Sequence, residues 1–282
     1  MSRATPAFDT AQVTPARGES ALPSRPGAPS RIAGERTTRP IPFGRLLVVE
    51  LRKMLDTRAG RWLLIAIATV ITGALTIVLL TDGGQHPFGD YLRATTMPQA
   101  LILPVVGVLA VTSEWSQRTG LVTFGLEPRR LRVATAKLLV ALLVGVAATV
   151  LSFVLGTGAY QAAVTFRGIT PDWTIDGLVV LGASLYVILG IAQGVAFGML
   201  LRNTPAAIVV YYILPTAWSL LSQLVPSLEA AARWLDLNRT MNPLFTGSLT
   251  GEQWGQLGTS LGVWVALPVL VGLLILRRAE VK

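Results

Sequence analysis

Six runs of apolar residues constrain this chain more than any other feature. They cover 62–80, 97–113, 134–160, 177–201, 204–225 and 258–276. A helix needs about 20 such residues to cross the hydrocarbon core of a bilayer. The runs therefore predict an all-α, polytopic membrane protein with about six transmembrane helices. Composition agrees: only 14% of the residues are charged, against about 25% in soluble globular chains. The second run is the shortest and carries Pro98 and Pro104. Only Arg202 and Asn203 separate the fourth run from the fifth, which predicts a tight helical hairpin.

Orientation follows from the placement of Lys and Arg, which favour the cytoplasmic side of a membrane. With the N-terminus inside, 20 of the 24 basic residues fall in cytoplasmic segments and 4 outside, namely Arg93, Arg167, Arg233 and Arg239. The opposite orientation inverts that ratio. Six spans then put both termini in the cytoplasm. The basic residues mark membrane boundaries, and nothing points to nucleic acid.

Residues 1–40 are rich in Pro, Ser, Thr, Ala, Gly and Arg, too poor in large apolar groups to offset the entropy of ordering. They read as a disordered cytoplasmic tail. No signal peptide is expected, because the first long apolar run starts near Trp62. Residues 41–61 read as an amphipathic interfacial helix, with Phe43, Leu47, Leu51, Met54 and Leu55 on one side. Arg45, Arg52, Lys53 and Asp56 fall mostly opposite. Residues 62–282 form the six-span domain. Within it, 226–257 is an outer insertion, with a helical stretch over 228–237 and breakers at Asn242-Pro243, Gly247 and Gly251. It forms one or two short helices that either dip into the outer leaflet or stay outside it.

Several kinds of chemistry are missing. There are no cysteines, which excludes disulfides and thiolate chemistry. The one histidine, His86, reads as an exposed loop residue. With Lys137 counted as a boundary residue, no Asp, Glu, Lys, Arg or His lies within the spans. Ion-coupled carriers use such groups, so a proton- or sodium-coupled mechanism is disfavoured, as is a metal or redox enzyme. The lysines are Lys53, Lys137 and Lys282, and none ends a Gly-rich turn of the P-loop kind. The chain has no catalytic, metal or cofactor residues to nominate, and any ATP-Mg must be bound by another subunit.

Small residues mark where helices approach one another. Gly190, Gly194 and Gly198 recur every fourth residue, and Gly258 and Gly262 repeat the spacing. In lipid such stripes let backbones come close, either within the chain or across a dimer. Gln193 lies mid-span among the glycines, where its amide is expected to bond to a neighbouring helix.

The most informative segment is the cytoplasmic loop 114–133, which opens EWSQRTGLVTFGLEPRR. Glu114, Trp115, Arg118, Leu121 and Phe124 can form a short helix with one apolar side, ended by Gly125. That apolar side needs cover, from a groove on a soluble partner or from the lipid surface. Glu114, Thr119, Pro128, Arg129 and Arg130 resemble the loop between the second and third spans of type-2 ABC transporter permeases. The segment VVELRKMLDTRAGRW is similar to the connecting helix before the first span of that family. The resemblance implies a permease subunit, of exporter type, that pairs with a second permease subunit, the same or related. It also implies docking to a separate P-loop ATP-binding subunit. In that reading Glu114, Trp115, Arg118, Thr119, Leu121 and Phe124 carry coupling, with Arg129 and Arg130 as charge contacts. The alternative is a membrane assembly or anchoring subunit that moves nothing. An arginine-rich, cysteine-free chain suits a bacterial inner membrane.

Overall fold

A computed structural model describes residues 41–81, 86–117 and 129–278. Residues 1–40 and the centre of loop 114–133, residues 118–128, lie outside the described residues. Among the described residues ten α-helices follow in order: α1 Phe43–Asp56, α2 Arg58–Leu80, α3 Phe88–Ser116, α4 Arg130–Arg167 and α5 Gly177–Leu201. Then come α6 Thr204–Leu224, α7 Glu229–Leu235, α8 Leu237–Met241, α9 Gly251–Leu261 and α10 Leu267–Arg278. No strand occurs among the described residues. Among the described residues, six helical segments are long and apolar enough to cross a membrane: α2, α3, α4, α5, α6 and the α9–α10 rod over Gly251–Leu276. The protein is an all-α, multi-pass membrane protein.

Four spans run longer than their apolar runs, α2 by the four residues from Arg58. α3 begins at Phe88, nine residues before the expected start, and α4 reaches 38 residues, about 57 Å at 1.5 Å per residue. Hydropathy alone misses these extensions because they leave the hydrocarbon and carry polar residues. The sixth span also starts early, at Gly251. There Thr250 and Gln253 form a reciprocal capping box that satisfies otherwise orphaned N–H groups. A π-helical turn, Gly262–Ala266, joins α9 to α10. The hairpin between α5 and α6 is as tight as expected. Arg202 takes φ 50° and Asn203 caps α6 through the Ala206 N–H at 3.0 Å.

The bundle is organised around α3 and α5. Most of the buried residues of the spans lie on these two helices, among them Leu103, Val108, Ile191 and Val195. Their backbones meet because side chains are missing at the crossing. A Cβ on Gly194 would strike the Pro104 carbonyl, and one on Gly107 the Ile191 carbonyl. Gly198 faces the Val108 carbonyl in the same seam. The stripe at Gly190, Gly194 and Gly198 is therefore an internal seam. Gly258 and Gly262 differ: both are exposed, and a Cβ on either would meet nothing within 4 Å. They take no part in an internal seam among the described residues.

Large apolar side chains cover the outside, as a lipid-facing surface requires. Ile77, Leu101 and Leu181 are each more than 60% exposed. The insertion 226–257 packs onto the bundle. Leu237, Met241 and Leu244 form a second core with Phe197, Leu257 and Trp264. The expected single helix over 228–237 is broken in two by Asp236. Its Oδ1 accepts from the N–H groups of Asn238 (3.0 Å) and Arg239 (3.3 Å), capping α8, and from Ser219 Oγ (2.6 Å) on α6. Gly251 starts a helix where a breaker was expected.

His86 is not a bare loop residue. It is half-buried, with Nδ1 3.4 Å from Asp90 Oδ2. Nearby, the Tyr160 hydroxyl donates to the Asp172 carbonyl at 2.9 Å and accepts from its N–H at 2.6 Å, pinning the α4–α5 loop.

Candidate functional site

The two ends of loop 114–133 stand on a buried knot of charge. Glu50 and Lys53 come from α1, Glu114 from the end of α3, and Lys137 from the second turn of α4. Lys137 Nζ lies 2.6 Å from Glu50 Oε2 and 3.2 Å from Glu114 Oε1, and donates to the Ala110 carbonyl at 3.2 Å. Lys53 Nζ lies 2.8 Å from Glu50 Oε1 and 3.2 Å from Glu114 Oε1. Each carboxylate thus meets both ammonium groups, and the knot is neutral. Glu50, Glu114 and Lys137 are buried, whereas the Lys53 side chain is 41% exposed.

This arrangement corrects the expectation that the bundle carries no charge. Lys137 is not a solvated boundary residue; it and Glu114 are internal. Charges leave water only when paired and hydrogen-bonded, and the four groups meet that condition together. Burial works against the charge on Lys53. Its contacts with Glu50 and Glu114 outweigh that, so its pKa is raised above the ordinary lysine value.

The local sequence explains the geometry. Leu46, Glu50 and Met54 follow at intervals of four on α1, so the carboxylate sits on the inward stripe. Leu46 packs on Val133 and Ala136 of α4. On α4, Val133, Lys137 and Val140 share a face in the same way. A charge on an apolar stripe in each of two helices was the signal available in the sequence, and Glu50 was missed as a site residue. At the α1–α2 elbow, Gly60 is required because a Cβ there would strike the Met54 carbonyl.

The candidate coupling residues divide into two groups. Glu114 is turned inward and bound by two lysines. Trp115 lies under the Arg202 guanidinium, 5.0 Å from ring centroid to carbon, a cation–π contact that links the loop to the α5–α6 hairpin. Arg130 donates to the Leu276 carbonyl on α10 at 2.5 Å, and Arg132 to the Ile41 carbonyl at 2.9 Å. Arg129 precedes α4 as its N-terminal cap residue. Arg118, Thr119, Leu121 and Phe124 lie outside the described residues. The root of the loop is therefore tied to α1, α5 and α10 at once.

Two cavities open towards the other end of the bundle. One, about 640 Å³, lies between α3, α4, α5 and the insertion, with Arg93, Gln99, Asp176 and Asn242 in its walls. The other, about 660 Å³, lies between α2, α3, α5 and α6, and Gln193 lines it. They share Met97, Ala100, Tyr186 and Asn238. Gln193 does not bond to a neighbouring helix as expected: it is 4% exposed and its Nε2 has no acceptor. Among the described residues, no group of three His, Asp or Glu side chains could hold a metal ion.

Comparison with protein-family models, with curated proteins and with solved structures finds no match.

Proposed function

We propose that this chain is the membrane-spanning permease subunit of an ATP-driven ABC transporter, of exporter type, in a bacterial inner membrane. It has no motor of its own; a separate P-loop ATP-binding subunit supplies ATP-Mg, and a second permease subunit completes the pathway. The observation that carries this reading is the charged knot. It joins the amphipathic helix to both flanks of loop 114–133, so a force on that loop is passed to α1, α3 and α4 together. A partner that pulls the loop can then bias the bundle between two packings. The Trp115–Arg202 contact and the Arg130–Leu276 hydrogen bond extend the same link to α5 and α10. The sequence resemblance in 43–62 and 114–130 supports the assignment, as does the even, alternating arrangement of six spans.

The test is association with a P-loop ATPase encoded in the same cell. The tagged permease, purified in mild detergent, retains an ATPase whose hydrolysis rate changes on reconstitution with it. Leu121→Asp and Phe124→Asp abolish retention without altering folding. A permease that retains no ATPase under these conditions, and whose Leu121 and Phe124 variants behave as the parent does, is the non-transporting assembly subunit instead.

A further inference from the structure

We propose that the cavity over Gln193 binds a neutral amphiphile. The polar end of the amphiphile accepts a hydrogen bond from the Gln193 amide, and its apolar body lies towards the lipid. At about 660 Å³ the cavity falls within the range of roughly 300–1,000 Å³ typical of small-molecule sites. Gly190 and Gln193 form its floor on α5, with Ala74 of α2 and Tyr211 of α6 as walls. Beside the cavity Gly190 is close-packed: a Cβ there would lie 3.3 Å from Pro104 Cγ and 3.4 Å from the Tyr211 hydroxyl.

Three observations select the ligand. Gln193 is buried and its Nε2 meets no acceptor. An orphaned donor in an apolar site is costly, and a ligand carbonyl, ester or hydroxyl oxygen removes that cost. Among the described residues no Asp, Glu, Lys or Arg lines the cavity, so a charged group would enter without a counter-ion. The cavity is lined on its outer side by Ile77, Met97 and Leu101, all heavily exposed, so entry is from the bilayer. The 640 Å³ cavity, with Arg93 and Asp176 in its walls, has a different chemistry.

Calling the amphiphile cargo rests on the transport reading; the binding site does not. The experiment therefore contains no ATPase. The full chain in nanodiscs is photolabelled with a diazirine-bearing monoacylglycerol, with the fatty acid and the alkyltrimethylammonium of equal chain length as charged controls. The monoacylglycerol labels residues 97–101 and 190–216, and the charged probes do so at least tenfold less. Gln193→Leu lowers labelling at least tenfold while the melting temperature holds or rises, because the orphaned amide is gone. Ala74→Trp keeps the amide, fills the space and lowers labelling to the same degree. Absent labelling of the parent chain, equal labelling by charged probes, or unchanged labelling in Ala74→Trp overturns the proposal, as does a Gln193→Leu protein that folds and labels normally. Failed labelling leaves the permease reading standing, and failed ATPase association leaves this site standing.

Discussion

Replacing Lys137 by Met removes one ammonium from the knot and keeps most of the side-chain volume. Lys137 Nζ sits 2.6 Å from Glu50 and 3.2 Å from Glu114, and all three side chains are at most 5% exposed. The variant leaves two buried carboxylates facing Lys53 alone, which is itself partly in solvent. Breaking a buried ion pair on one side costs about 3–5 kcal/mol, because an uncompensated charge stays behind. For a chain of this size that corresponds to a fall in Tm on the order of 10 °C. The double variant Lys137→Met with Glu50→Gln leaves Glu114 paired with Lys53, so it recovers about 2 kcal/mol or more of the loss. The assay is loss of the monodisperse size-exclusion peak after heating in one detergent, run on parent, both single variants and the double. If Lys137→Met melts with the parent, or the double variant is no better than Lys137→Met, the four charges are not a coupled network. The account of the loop root would then be wrong.

The α3–α5 seam gives a sharper contrast within one protein. Gly194→Ala drives a Cβ into the Pro104 backbone and lowers stability by about 1–3 kcal/mol, whereas Gly258→Ala, with open space around it, stays within about 0.5 kcal/mol; the same heating assay compares them. Asp236→Ala removes the cap of α8 and the Ser219 link, costing about 1–2 kcal/mol, and hydrogen exchange of the amides in 229–246 accelerates. The raised pKa of Lys53 means that its contribution is complete below about pH 10.4 and is lost as pH rises through the higher folded value; Lys53→Met flattens that part of the alkaline arm of the Tm–pH curve. Orientation is checked with single cysteines in this cysteine-free chain: a membrane-impermeant maleimide labels Ser248→Cys in intact cells and Ser116→Cys only after lysis, and the reverse pattern refutes the cytoplasmic placement of the loop.

The lipid-facing character of the chain, the number of spans, the α5–α6 hairpin and the glycine seam were legible in the sequence. Each depends on local composition or helical spacing: an apolar run of about 20 residues has few other uses, and glycines four apart share one face wherever the helix goes. The extents of α3 and α4 were less legible, because helix continues past the hydrocarbon where hydropathy gives no signal. The knot and the ligand cavity belong to tertiary structure. Glu50, Glu114 and Lys137 are as much as 87 residues apart, and only the packing of α1, α3 and α4 together removes them from water and, with Lys53, makes them one neutral group. Gln193 has one fate if a neighbouring helix offers an acceptor and another if it faces a cavity. That choice is made by α2, α3 and α6 around it, and α2 and α3 lie far from it in the sequence.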